Sequence, residues 1–164
     1  MKAEVFTDGA TRPINPGPSG FGAVLYLDDE MVYNATGFLG RGTNNVAEYF
    51  GLIAGLDLIN DALDSYDIEE VTFFLDSLLV IRQVTGEWNI TKLNLLRLRD
   101  AALERIRQLG LAGVTVTFQH VKGHAGNVGN VEADHLATAA VLQQHKLVSI
   151  LASLNEEVTV LADN

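Results

Sequence analysis

The sequence predicts an α/β domain, a five-stranded mixed sheet flanked by helices. Two observations carry this. Three β-type segments follow one another near the N-terminus with short links, which suits an antiparallel meander. Two later strand segments are each reached through helical stretches, so they join as parallel additions. The expected order is β-β-β-α-β-α-α-β-α, with the helices packed on the faces of the sheet.

Each element has its own signal. Residues 2–7 read as a strand stopped by Asp8-Gly9, followed by a Pro/Gly-rich loop through Gly20. Phe21 to Leu27 and Met31 to Phe38 read as strands joined by the turn Asp28-Asp29-Glu30. Residues 45–63 read as a helix, because Val46, Tyr49, Phe50, Ile53, Leu56 and Ile59 recur at helical spacing. Val71 to Leu75 is wholly apolar but for Thr72, as a central strand requires. A short helix over Leu78 to Val84 and an amphipathic one over 92–109, ending at Gly110, come next. Val114 to His120 alternates as a strand. Gly123 to Asn130 is a loop, and a last helix runs from Val131 to Gln144.

The composition suits one globular domain, with 48% hydrophobic and 20% charged residues. No signal-peptide core or membrane-length apolar run is present, so a soluble cytoplasmic protein without a membrane partner is expected. The absence of cysteine excludes disulfides and thiolate chemistry. The net charge of −10 opposes a polyanionic partner if charge is taken as a sum. Its distribution is uneven. Residues 57–70 carry six acids and no base, whereas 92–107 carry five bases against two acids. This fits two electrostatically different faces, and equally two solvated helix surfaces.

Four carboxylates stand at the ends of elements: Asp8, Glu48, Asp76 and Asp134. Each has a plain structural explanation. Asp8 forms a turn pair with Gly9. Glu48 stands three residues after Asn45, as in a capping box. Asp76 suits an N-cap, and Asp134, in the first turn of the last helix, suits the helix dipole. The other reading is convergence. If the first strand and the Val71 strand are parallel neighbours, Asp8 and Asp76 emerge side by side. Four clustered carboxylates stay charged only around cations. An oxygen-only donor set suits Mg²⁺ or Mn²⁺ rather than Zn²⁺.

Six segments extend the second reading: Phe6-Thr7-Asp8-Gly9, Asn15-Pro16-Gly17-Pro18, Thr43-Asn44-Asn45 with Glu48, Leu75-Asp76-Ser77, Val121-Lys122-Gly123-His124-Ala125-Gly126, and Asn130 with Ala133-Asp134. In this order, over roughly residues 1–144, the chain resembles type 1 ribonuclease H. The resemblance implies the ribonuclease H-like fold and an endonuclease that cuts the RNA strand of RNA–DNA hybrids. It implies two-metal-ion catalysis with Mg²⁺ or Mn²⁺, leaving 5′-phosphate and 3′-hydroxyl ends. Asp8, Glu48, Asp76 and Asp134 then hold the metals, and His124 assists proton transfer or product release. Asn15, Asn44 and Asn45 contact the hybrid, and Thr43 a phosphate.

The chain departs from better-known bacterial members in three places. Only Asn89-Ile90-Thr91-Lys92 stands where they carry a basic handle, with Arg97, Arg99, Arg105 and Arg107 as partial compensation. The loop before Asn15 is one residue longer, and residue 78 is Leu. Rival functions are a nuclease for double-stranded RNA or RNA–DNA junctions, a non-catalytic hybrid-binding module, and another phosphoryl enzyme on the same fold. The ribonuclease H domain is expected over residues 1–145. Residues 146–164 form an extension in which Leu147, Ile150, Leu151 and Leu154 make one apolar helical face and Val158 to Leu161 a strand. This extension packs on the domain of a monomer, or else forms a dimer contact.

Overall fold

The computed structural model describes residues 1–122 and 127–162. Five strands, β1 (Lys2–Thr11), β2 (Gly17–Leu27), β3 (Glu30–Gly42), β4 (Glu70–Leu75) and β5 (Thr115–His120), form one sheet in the order β3-β2-β1-β4-β5. The first three are antiparallel, while β4 and β5 add in parallel. The helices are α1 (Asn44–Ala62), α2 (Leu78–Val84), α3 (Leu93–Leu111) and α4 (Val128–Ala162). The expected mixed sheet is therefore present, with the element order read from the sequence.

Local chemistry accounts for the joints. Asp28 and Asp29 both have positive φ, 50° and 65°, so β2 and β3 are joined by a two-residue hairpin. That backbone twist matches the strands it links. The Thr43 side chain caps α1 by accepting from the Val46 nitrogen at 3.3 Å, and the Ser77 side chain caps α2 by accepting from Val80 at 3.3 Å. Capping thus falls on the neighbours of Asn45 and Asp76 rather than on those residues. Asn127 caps α4, its side-chain oxygen accepting from Gly129 at 3.0 Å. That start is three residues earlier than expected and places Asp134 in the second turn.

The strand alternation sends side chains to two faces. Val5, Leu25 and Phe73 meet Tyr49, Leu52 and Leu56 of α1, all of them buried, and α3 closes this layer through Leu95, Ala102 and Leu109. On the other face Phe6 and Val24 meet Ala133 of α4, with Phe6 stacked on Phe74 at a centroid distance of 4.6 Å. Gly22 makes this second contact intimate. A Cβ there would stand 2.4 Å from the Ala133 carbonyl oxygen. Residue 22 must therefore lack a side chain for α4 to lie against β2.

Three expectations need correction. Asp8-Gly9 does not stop the first strand, which continues to Thr11 because Gly9 serves a close approach to α1 rather than a turn. Gly110 lies inside α3, and the chain turns at Gly113, whose φ is +88°. Val158 to Leu161 is not a strand, since α4 runs unbroken for 35 residues. Val141 is the last buried residue of that helix among those described, and residues 150–155 are all exposed. Ile150, Leu151 and Leu154 therefore do not cover the core of this chain, and the side chain of Leu147 lies outside the described part. No helix among the described residues is long and apolar enough to cross a membrane.

Candidate active site

The β1–β4 pairing ends with Thr7 opposite Leu75, so the next residues, Asp8 within β1 and Asp76 just after β4, stand side by side where the two central parallel strands part. Ligand crevices form at such positions in sheets of this kind. α1 brings the third acid. A Cβ on Gly9 would lie 2.4 Å from the Glu48 nitrogen, and one on Gly51 would lie 2.8 Å from the Asp8 carbonyl oxygen. The missing side chains let helix and strand approach until Glu48 reaches Asp8. Carboxylate oxygens of Asp8, Glu48 and Asp76 all lie within 4.8 Å of one another.

α4 supplies Asp134, which interacts with Asp8 and lines the same open cleft of about 350 Å³ together with Asn44, Asn45 and Ser77. Larger hollows lie elsewhere on the surface, but none gathers this chemistry. The Asn15 side-chain oxygen accepts from the Asn44 nitrogen at 3.2 Å, tying the loop after β1 to the start of α1. Thr43 precedes them as the cap. His120 anchors the far side, with Nε2 3.0 Å from the Asp76 carbonyl oxygen.

The electrostatics are those of crowded acids. Burial, and then the charge of Asp76, push the Asp8 carboxyl up to about 7, while hydrogen bonding to Glu48 opposes the rise and Asp134 adds to it. Glu48 is raised well above the ordinary carboxylate range, again by burial first and then by Asp8 and Asp76. One of its oxygens, Oε2, is buried without a hydrogen-bond partner. A buried carboxylate oxygen with no donor is costly, and a divalent cation held between these acids removes that cost. The donors are all oxygens, which suits a hard cation.

The four expected carboxylates thus converge, and Asn44 and Asn45 join them. His124 lies outside the described residues. Sequence reasoning passed over Arg12, which lines the cleft. Its only signal was a lone base in the Pro/Gly loop between the first acid and Asn15. Of the four α3 arginines expected to compensate in part for the missing handle, Arg99, Arg105 and Arg107 are paired with Asp100, Asp57 and Glu104, whereas Arg97 makes no ion pair among the described residues.

Comparison with known proteins agrees with this geometry. The family model described as RNase H matches residues 1–142. Ribonuclease HI of Halobacterium salinarum is 34% identical over 141 residues, covering 85% of this chain and 64% of that protein. Ribonuclease H of Pseudomonas syringae is 34% identical over 146 residues, covering 84% and 91%. A bifunctional protein of Mycobacterium tuberculosis is 44% identical over 100 residues, and the match spans 60% of this chain but only 26% of that longer protein. Among solved structures, RNase H1 of Halobacterium salinarum superposes with a TM-score of 0.70 at 34% identity, covering 87% of this chain and 99% of that one. LC11-RNase H1 in complex with an RNA/DNA hybrid gives 0.72 at 28% identity, covering 87% and 98%. A family match over most of the chain, on this sheet order and with these acids together, makes the chain a member of the RNase H family, of the type 1 kind.

Proposed function

We propose that this chain is an endoribonuclease that hydrolyses the RNA strand of RNA–DNA hybrids, leaving 5′-phosphate and 3′-hydroxyl ends. The observation that carries the reading is the cluster of Asp8, Glu48 and Asp76, with oxygens within 4.8 Å of one another where the parallel β1–β4 pairing ends. Asp134 completes it from α4. The relative solved with an RNA/DNA hybrid supports the substrate class.

The residues divide the work. Asp8, Glu48, Asp76 and Asp134 would hold Mg²⁺ or Mn²⁺, two ions when substrate is bound. When bound, such cations lower the pKa of an attacking water and stabilise the departing 3′ oxygen of a phosphodiester. Asn44 and Asn45, at the first turn of α1, present amides to a strand in the cleft, and Asn15 fixes that turn. By its resemblance to the family, Glu48 would also meet the ribose 2′-hydroxyl of a bound RNA strand, the group that distinguishes RNA from DNA. His124 belongs to the same reading as a proton carrier.

The test is a substrate panel. Labelled RNA–DNA hybrid, double-stranded RNA, single-stranded RNA, an RNA–DNA junction and double-stranded DNA are incubated with the protein in Mg²⁺ and in Mn²⁺, and the product ends are mapped. Preferred cleavage of RNA in the hybrid, with ends that ligase accepts after pairing, is expected. Faster cutting of double-stranded RNA or junctions would replace the substrate. Binding to the hybrid without cleavage in either metal would replace the enzyme with a binding module.

A further inference from the structure

We infer that Arg12 is a substrate-binding residue, holding a backbone phosphate of the strand that enters the carboxylate cleft. This deepens the hybrid-nuclease reading and rests on it.

The electrostatic problem is plain in the structure. The chain carries a net charge of −10, and its cleft is lined by four acids. A polyanion needs cationic groups at the point of contact. Lys2, Arg82, Arg99, Arg105 and Arg107 are each held by an acid at 3.2 Å or closer. Arg41, Lys92, Arg97 and Lys122 make no ion pair among the described residues, but none of them lines the cleft. Arg12 is set apart by its place. It lines the cleft beside Gly9, Asn44 and Asn45, and it makes no ion pair among the described residues. No other cation lines the cleft among the described residues.

Its mounting is fixed on both sides. The Arg12 nitrogen donates to the Pro18 carbonyl at 3.0 Å, and Thr11 and Ser19 share a hydrogen bond of 2.8 Å just before it. Three residues later, Asn15 accepts from Asn44. The loop is therefore pinned to the sheet and to the start of α1, and the exposed Arg12 side chain projects from a stationary base. A guanidinium so placed meets phosphate with a rigid fork of donors at a low ordering cost. The Asn44 and Asn45 amides beside it suit neutral groups of the same strand, so charge and shape are read by adjacent residues.

The test compares wild type, Arg12→Gln and Arg12→Lys on one RNA–DNA hybrid. Cleavage is followed in Mn²⁺, hybrid binding is followed across a salt series in Ca²⁺, and Mn²⁺ binding is followed by calorimetry without nucleic acid. The Arg12→Gln variant is expected to raise KM several-fold with kcat changed little and Mn²⁺ affinity unchanged. The slope of log affinity against log salt should shrink by about 1, the loss of one phosphate contact. The Lys variant should restore the slope and only part of the affinity. A single neutral methylphosphonate moved along the RNA strand should weaken wild type at one linkage, where Arg12→Gln is indifferent. An unchanged KM and salt slope would overturn the inference. So would tighter Mn²⁺ binding with an unchanged slope, since Arg12 would then be a counter-ion of the carboxylates. If wild type binds the hybrid with the Arg12-dependent slope yet cleaves nothing, the nuclease reading fails and the phosphate contact stands.

Discussion

The backbone of Gly9 lies so close to that of Glu48 that a Cβ on residue 9 would stand 2.4 Å from the Glu48 nitrogen. This contact sets the distance between β1 and α1, and with it the distance between two acids of the cleft. Gly9→Ala should therefore force strand and helix apart. The expected cost is about 1–3 kcal/mol of stability, the usual range for overpacking, together with a large loss of hybrid cleavage. Gly110, inside α3 with open space around it, is the control. Gly110→Ala should stabilise by up to about 1 kcal/mol through helix propensity. Urea unfolding and a cleavage assay check both. Equal effects at the two positions would refute the proposed role of Gly9.

The buried acids make metal binding and stability depend on pH. Asp8 is raised from an ordinary 3.8 to about 7, chiefly by burial. Its folded value exceeds its unfolded one, so the group's favourable contribution is full below about 4 and is lost as pH rises through about 7. Metal-free Asp8→Asn should match wild type near pH 4 and exceed it near pH 8, when each is referred to its own acid-side stability. The rise in melting temperature produced by Mn²⁺ should grow with pH across the same window in wild type and largely vanish in Asp8→Asn. Differential scanning fluorimetry at stepped pH reads both.

Tyr49 donates to the Gln83 side-chain oxygen at 2.7 Å, and both residues are buried between α1 and α2. Tyr49→Phe leaves the Gln83 oxygen without this donor. The expected loss is about 1–3 kcal/mol, the cost of an orphaned buried polar group. Tyr49→Phe with Gln83→Leu should recover part of it. A double-mutant cycle in urea measures the coupling, and an additive result would deny the bond.

Val141 is the last buried residue of α4 among those described, and residues 150–155 are exposed. Truncation after Gln144 should accordingly leave the unfolding free energy and the cleavage rate of the remaining domain unchanged. A marked loss of stability would mean that the extension packs on the domain. A halving of the particle mass in light scattering would mean that it joins two copies.

Much of this was legible in the sequence because pattern and burial agree locally. The apolar run Val71 to Leu75 reads as a central strand and is one, and Ser77 and Val84 bracket α2 at the residues expected. The four acids were legible as a set only through the family resemblance, since each has an adequate local explanation. What stayed hidden was set by contacts between distant segments. Gly9 reads as a turn residue until α1 is placed against it. Asn45 and Glu48 read as a capping box, although Thr43 provides the cap. Nothing in the charges of α3 shows that Arg105 is bound to Asp57, 48 residues away. Arg12 has no local pattern at all, and its place in the cleft follows from the loop pinned at Pro18 and Asn44.

The most direct measurement is single-turnover cleavage of an end-labelled RNA–DNA hybrid by wild type and Asp76→Asn, in Mg²⁺ and in Mn²⁺, with circular dichroism on both proteins. Metal-dependent cutting of the RNA strand by wild type is expected, with no detectable cutting by Asp76→Asn and superimposable spectra. Near-normal cleavage by a folded Asp76→Asn, or none by wild type in either metal across a range of salt, would contradict the assignment of the carboxylate cluster as the catalytic centre.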